Sequence, residues 1–461
     1  MNRVVGIETE YGCLVSGEPC DAWPARVKNH VFKKARAGAF DLHYRDYEEP
    51  PGNGGFLLNG GRLYLDMGHL EYASPECRTI EDIVAYDLAG DLLVQQAVEE
   101  MGVGGQVAFV KNNIDHHTGA TFGCHENYLM RRDMPFHEPV IGTLLSFLAT
   151  RQIFTGAGRV GQAHQAVSSL DEWESGTPVS FQISQRADYI VNDIYQWVQL
   201  NRAIINARDE PLADHRKYRR LHLLIGDSNI SPFATALKVG TTACVLTLLE
   251  EGRLPDDVIL EDAVIATRRI SHAGGVHCDV LLEDGRTRDV LDIQDEFLAH
   301  ATRHLAGRDA ETDWILDSWR FTLESLRTTP EALIGGVDWI SKKFLLETFR
   351  EAEGLDWDDP WLQSLDLEYH NIDTTKGLFH ALTPGAKIAE WNNRFRRTDT
   401  VRIPPQTTRA CGRGRAVGLL QTREHPYIIN WDSIAIENTE ALAMPDPFHT
   451  YEREVECLIS E

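Results

Sequence analysis

The stretch "NGGRLYLDMGHLEYASPEC", Asn59–Cys77, decides how the chain is read. Within it Arg62, Tyr64 and Asp66 alternate with Leu63 and Leu65, and Glu71 follows five residues later. Successive side chains of a strand point to opposite faces, so Arg62, Tyr64 and Asp66 share one face and the two leucines the other. The stretch "GIETEYG", Gly6–Gly12, has the same property, with Glu8 and Glu10 on one face and Ile7, Thr9 and Tyr11 on the other. If both apolar faces pack on helices, the polar faces share the open side of one sheet. Glu8, Glu10, Tyr64, Asp66 and Glu71 are then a set of oxygens suited to a hard cation such as Mg²⁺. Arg62 suits a phosphate held by that cation. The same alternation also fits a solvated sheet face crossed by Arg–Glu pairs.

The whole chain narrows the classes. Its 461 residues are 43% hydrophobic and 25% charged, an ordinary globular composition rather than a disordered or collagen-like one. That length allows one large domain with a smaller satellite, or about two to three domains. A formal net charge of -25 weighs against sequence-independent nucleic-acid binding, which needs phosphate neutralisation. The eight cysteines are scattered without a C-x-x-C pair, which weighs against a zinc knuckle. The opening "MNRVVGIETEYG" lacks the apolar core of a signal peptide. Uncharged runs such as "PVIGTLLSFLAT", Pro139–Thr150, are too short to span a bilayer. The expectation is a soluble cytoplasmic protein that engages neither nucleic acid nor membrane.

Helical periodicity runs through Thr79–Gly102, with Thr79 as cap, and through Val290–Gly307 and Glu311–Arg327. Ser231–Gly252 reads as a mostly buried helix ending at Gly252. "GQVAFVKNN", Gly105–Asn113, and "YRRLHLLIGD", Tyr218–Asp227, read as strands. The polar stretch Ala163–Pro178 reads as a surface loop. After about Ala386 the pattern shortens. "RIPPQTTRACGRGRA", Arg402–Ala416, is punctuated by Pro-Pro, Gly and Arg; "YIINWDSIAIEN", Tyr427–Asn438, reads as a strand; and Asp446–Ile459 reads as a last helix. Strands precede and separate helices without strict βαβ alternation. The fold expected is α+β, a largely antiparallel sheet backed by helices over residues 1–386, with a small C-terminal domain over residues 387–461.

Two further clusters carry polar groups. "FGCHENYLM", Phe122–Met130, offers His125, Glu126 and Asn127 between apolar residues. Ile205–Asn229 offers Arg208, Asp209, Glu210, Arg219, Arg220, His222, Asp227 and Asn229, with Arg220 and His222 on one face of the strand. A histidine there could be a cation ligand, a phosphate donor or a hydrogen-bonded structural group. "TGAGRVG", Thr155–Gly161, contains G-x-G-x-x-G, but a helical pattern rather than a strand precedes it. A dinucleotide fingerprint needs strand, turn and helix in that order, so this reading is rejected. The chain also lacks a P-loop motif.

The strings "GIETEYG", "NGGRLYLD", "EYASPEC", "VKNNID", "GCHENYL", "INARDEP" and "YRRLHLLIGDSN" resemble, in order, the Pup ligase and Pup deamidase/depupylase family. The likeness runs to about Glu251 and resumes more weakly at "NWDSIAIEN" and "DPFHTYEREVECLI". That family is similar to carboxylate-amine ligases of the glutamine-synthetase type. The resemblance implies a curved antiparallel sheet that cradles ATP (or ADP plus phosphate) and Mg²⁺. By motif, Asp66 looks like the catalytic aspartate, and Glu8, Tyr64 and Glu71 like magnesium ligands. Arg62, Ser74 and Trp431, with Gly6, Ala73 and Arg220 beside them, look like nucleotide contacts. Glu10, His125, Asn127 and His222 look like second-metal or phosphate groups. The implied partners are a small Pup-like modifier, its conjugated protein substrates and, indirectly, a bacterial proteasome.

The family has two activities on the modifier's C-terminal residue. One joins its glutamate to a lysine with ATP; the other hydrolyses the amide of a terminal glutamine, or the isopeptide bond to lysine. The four residues that separate Asp66 from Glu71, "TGAGRVG", "FQISQRADYI" and "NWDSI" resemble the deamidase/depupylase branch. "GCHENYL", the C-terminal helix and the short segment Asp41–Asn59, where deamidases usually carry a long insertion, resemble the ligase. The weight of these strings leads us to expect a nucleotide- and Mg-dependent deamidase/depupylase, with the ligase as the alternative. A catalytically silent Pup-binding relative is a third reading, disfavoured by the presence of Asp66, Tyr64 and both glutamates of the first strand.

Overall fold

Ten strands form the sheet that places most of the candidate residues. In chain order they are β1 (Val5–Val15), β2 (Gly38–Phe40), β3 (Gly54–Leu57), β4 (Arg62–Asp66), β5 (His69–Ala73), β6 (Val107–Val110), β7 (Cys124–Arg131), β8 (Asn192–Tyr195), β9 (Ala203–Asn206) and β10 (Tyr218–Leu223). Across the sheet the order is β8–β9–β10–β7–β1–β5–β4–β3–β2, with β6 pairing the distal half of β1. Every pair is antiparallel except β8–β9. The computed structural model describes residues 3–17, 19–45, 49–162, 179–196, 202–422 and 426–460, so the loop expected at Ala163–Pro178 lies outside the described residues.

Register converts the sequence alternation into a shared surface. Glu8 stands opposite Ala73 on one side and His125 on the other; Glu10 stands opposite Glu71. Tyr64 is also opposite Glu71, Arg62 opposite Ala73, and Asn127 opposite both Gly6 and His222. Directly opposed residues project to the same face, so five adjacent strands build one polar face.

The reverse face is the core. Ile7, Tyr128 and Leu221 pack with helices α2 (Val140–Thr150), α3 (Pro232–Glu250), α4 (Val290–Leu305) and α5 (Ala310–Thr328). Tyr11, Leu63, Leu70 and Tyr72 pack with Leu93, Val94 and Ala97 of helix α1 (Ile80–Glu100). Leu63 is fully buried, and trimming such a leucine to alanine costs about 2–5 kcal/mol. Helix α3 begins where the Ser231 hydroxyl accepts the Ala234 amide and stops at Gly252, φ +64°. Its length and composition would cross a bilayer, but 94% of its apolar window is buried within the fold. Glu126, grouped in the sequence with His125 and Asn127, points to this reverse side and accepts two bonds from the buried Arg151, at 2.5 and 2.9 Å.

Two C-terminal expectations are corrected. Tyr427–Asn438 is not one strand. It folds as a hairpin of Tyr427–Ile429 and Ser433–Ile436, because Asn430, Trp431 and Asp432 turn the chain and the Asn430 amide bonds Ser433 O at 2.8 Å. Arg402–Ala416 is less irregular than its glycines suggest, since Ala410–Leu420 is a helix. Its glycines serve close approach: a Cβ at Gly412 would lie 2.5 Å from Thr450 O, and one at Gly414 2.4 Å from Leu58 O. Val417 and Leu420 of that helix, Ile434 of the hairpin and Val455 of the last helix, Glu452–Ser460, share a third core with Phe56 of β3. Ile388, Trp391 and Phe395 pack instead in the main core beside Phe233 of α3. The stretch before "GRVG" is helical, Gln152–Thr155, so the rejected dinucleotide motif lacks its strand.

Candidate active site

Glu8 organises one end of the polar face. His125 Nδ1 lies 3.1 Å from Glu8 Oε2, Asn127 Nδ2 donates to Glu8 Oε1 at 3.1 Å, and His222 Nε2 lies 3.7 Å from Oε2. The imidazoles of His125 and His222 meet edge to face at 5.2 Å. Two residues along, Glu10 accepts the Gly123 amide at 2.8 Å and joins Asp66 and Glu71. In each trio, Glu8/His125/His222 and Glu10/Asp66/Glu71, one ligand atom per residue lies within 4.8 Å of the others.

The two trios differ in charge state. Burial opposes ionisation of Glu8, yet the hydrogen bond from His125 and the charges of His222, His125 and Arg220 hold its carboxyl down at about 2. Burial above all pushes His222 down to about 3, with His125 and Arg220 nearby adding to it. His222 is therefore neutral in ordinary buffer. Both ring nitrogens of His222 are buried without a hydrogen-bond partner. Glu71 goes the other way. Burial, then Glu10, Glu8 and Asp66 in turn, raise it well above the ordinary carboxylate range, against the Tyr64 hydroxyl that donates to it. A neutral imidazole without a hydrogen-bond partner and a buried carboxyl crowded by other carboxylates would both be relieved by a divalent cation. Glu10 and Glu71 of the second trio, with the Tyr64 hydroxyl beside Glu71, could hold a hard ion such as Mg²⁺, and the first trio offers a mixed N/O set.

A cleft opens beside Glu8. It is lined by Gly6, Glu8, Ala73, Ser74, Asn127, Arg220 and Trp431, all expected from the sequence to meet nucleotide or cation. Ser74 ties the cleft floor together: its hydroxyl accepts the Ile7 amide and its amide donates to Ile7 O, each at 2.9 Å. A Cβ at Gly6 would meet only Ser74, at 3.7 Å, so the room there belongs to the cleft rather than to packing. Trp431 comes from the C-terminal hairpin, edge-on to Phe56 and under the Arg413 guanidinium at 4.6 Å. Arg62 lies on the same face but does not line the cleft; its guanidinium is bound to Asp41 at 3.0 Å and Glu49 at 2.7 Å.

A sequence model of the family described as Pup-ligase protein matches residues 3–435. This chain belongs to the Pup-ligase family. A depupylase of Acidothermus cellulolyticus is 35% identical, aligned over 95% of this chain and 91% of its own. A Pup–protein ligase of a Nocardioides species is 34% identical over 99% of both. Among solved structures, the ligase PafA in complex with Pup superposes with a TM-score of 0.82 at 31% identity, covering 100% of this chain and 91% of that one. PafA in complex with ADP superposes with a TM-score of 0.76 at 32% identity, covering 95% and 93%. The family is thus one of enzymes, with the ligase name prevailing among these relatives.

Sequence reasoning missed part of the cleft wall. Glu76 and Arg409 line it, with Pro211, Leu212 and Pro447, beside Glu210 of the polar cluster read from the sequence. Glu76 accepts from Arg409 Nε at 2.8 Å and pairs with Arg413 as well. These arginines outweigh burial and hold Glu76 down at about 2. The only signal in the sequence was the adjacent "SPEC" and "TTRACGRGR" strings, whose charges gave no hint that they meet. Asp227 and Asn229 are structural: Asp227 accepts the Ala157 and Gln185 amides, and Asn229 donates to Asp338.

Proposed function

We propose that this chain is an ATP- and Mg²⁺-dependent ligase that joins the C-terminal glutamate of a small Pup-like modifier to a lysine of a target protein. This replaces the deamidase/depupylase expectation. The observation that carries it is the whole-chain likeness to PafA in its complex with Pup, at a TM-score of 0.82. The short link between β2 and β3, Asp41–Asn53, is consistent with it, since the long insertion expected of a deamidase is missing there. The ADP bound in a second PafA structure supports the cleft beside Glu8 as a nucleotide site.

The chain's own groups divide the work. Gly6, Ala73, Ser74 and Trp431 shape the cleft for the nucleotide, and Arg220 offers positive charge at its phosphate end. Glu8, His125 and His222, and separately Glu10, Glu71 and Tyr64, would hold cations. Bound Mg²⁺ supplies charge neutralisation for phosphoryl transfer from ATP to the modifier's γ-carboxylate. Asp66 stands on the same face as Arg62 and Tyr64 and takes the proton of the lysine amine as it displaces phosphate.

The test supplies Mg²⁺, ATP and a lysine-bearing acceptor with a modifier ending in glutamate and, in parallel, one ending in glutamine. The expected outcome is an isopeptide conjugate with one ADP released per bond. Conversion of a glutamine-ended modifier to glutamate without ADP release, and no conjugate, would overturn the reading.

A further inference from the structure

His69 opens β5 and lies between Asp66 and Glu71 in the chain. The two-residue turn Met67–Gly68, with φ +44° and +96°, folds β5 back on β4 so that His69 stands directly opposite Asp66. Directly opposed residues project to one face, so the imidazole joins the carboxylates Glu10, Asp66 and Glu71 on the polar face. Its Nδ1 lies 3.6 Å from Glu10 Oε2, within electrostatic reach but longer than a hydrogen bond. The ring stacks on Phe122, with centroids 4.8 Å apart and planes 29° from parallel.

Phe122 and Gly123 act on Glu10 from two sides. The Gly123 amide donates to Glu10 Oε1 at 2.8 Å, and the Phe122 ring supports the imidazole that faces Oε2. The dipeptide is itself pinned. The Phe122 side chain is buried, and its carbonyl accepts from a terminal nitrogen of Arg186 at 2.6 Å and from Asn113 Nδ2 at 3.1 Å. Gly123 has no room for a side chain, because a Cβ there would lie 2.6 Å from Glu10 Oε1 and 2.5 Å from His125 Nε2. Both oxygens of Glu10 thus face groups set in place by one pinned dipeptide. A carboxylate restrained at both oxygens presents its remaining lone pairs to a cation in a fixed direction.

We propose that His69 is a positioning residue for the second cation set: with its ring proton on Nδ1 it holds Glu10 Oε2, while the stack on Phe122 holds the ring. This rests on the reading of Glu10 and Glu71 as cation ligands. His69 acts through Glu10 rather than on the ion or the substrate. Partners of this kind orient a ligand without touching the ion, and losing one weakens ion affinity by about 10–100-fold.

Titration of Mn²⁺ into the full chain with ADP, followed by electron paramagnetic resonance, tests this. His69→Phe keeps a ring on Phe122 and removes the donor; His69→Asn keeps a donor near the place of Nδ1 and removes the ring. The expected result is about tenfold weaker binding of one Mn²⁺ in His69→Phe with the other unchanged, and affinities within about threefold of native in His69→Asn. Excess Mg²⁺ should restore conjugation in His69→Phe, which a damaged fold would not allow. Equal affinities in the two variants, the reverse order, or a conjugation defect that excess Mg²⁺ leaves in place would overturn the proposal. If Glu10→Gln loses one Mn²⁺ while His69→Phe binds as the native chain does, only the role of His69 fails. If Glu10→Gln keeps both ions at native affinity, the reading of Glu10 as a cation ligand fails with it.

Discussion

Glu8 and Glu10 lie two residues apart on one strand and face the same way, yet they enter opposite surroundings. Towards β7 and β10, Glu8 meets two imidazoles and an amide, and its charge is satisfied. Towards β5 and β4, Glu10 meets Glu71 and Asp66, and burial together with these carboxylates raises Glu71 well above the ordinary carboxylate range. The pleat is common to both; the neighbouring strands make the difference. A face of this kind is pre-organised for positive charge, which a bound cation would supply.

The largest expected effect separates chemistry from binding. Asp66→Asn removes charge and basicity with little change of shape, so conjugation should fall about 10²–10⁴-fold while Mg–ADP affinity stays within about twofold. Equal loss of both would place Asp66 with the cation ligands rather than with the proton transfer.

Next come the two trios themselves. In cation-free buffer Glu71→Gln removes a crowded buried carboxyl and should stabilise the fold by about 1 kcal/mol. Glu8→Gln removes a satisfied one and should destabilise it by about 1–2 kcal/mol. Both should weaken Mg-dependent nucleotide binding at least tenfold. Melting temperatures that shift in the same direction would break the comparison.

A smaller effect is the pH dependence of the same pair. The raised Glu71 binds its proton more tightly folded than unfolded. Its contribution is favourable below the ordinary value of 4.5 and is lost as pH climbs through the raised one. The lowered Glu8 contributes above 4.5, and that contribution is lost as pH falls towards about 2. Relative to the native chain, Glu71→Gln should therefore gain stability as pH rises, and Glu8→Gln should lose it. Urea denaturation at several pH values in the presence of chelator would read both slopes, and parallel slopes would contradict the assignment.

These contrasts also mark what the sequence could and could not say. The two-residue alternation of Arg62, Tyr64 and Asp66 and of Glu8 and Glu10 was enough to foresee a shared polar face, because strand period is local. Which carboxylates crowd and which are satisfied was not foreseeable, because register brings His125 and His222 to Glu8 from strands more than 100 residues away. The fate of Arg62 was hidden for a similar reason: Asp41 and Glu49 sit in a segment without periodicity. The same holds for Glu76 and Arg409, which meet across more than 300 residues. The hairpin around Trp431 was missed although "NWD" interrupts two apolar runs, a turn signal that was read through.

The central claim is that one sheet face carries two separate cation sets. Mn²⁺ is a spectroscopic substitute for Mg²⁺, and its binding to the full chain with ADP can be counted by electron paramagnetic resonance. The account predicts two Mn²⁺ per chain, one lost in Glu71→Gln with the other retained, and the converse in Glu8→Gln. A single bound ion in the native chain, or loss of the same ion in both variants, would contradict it.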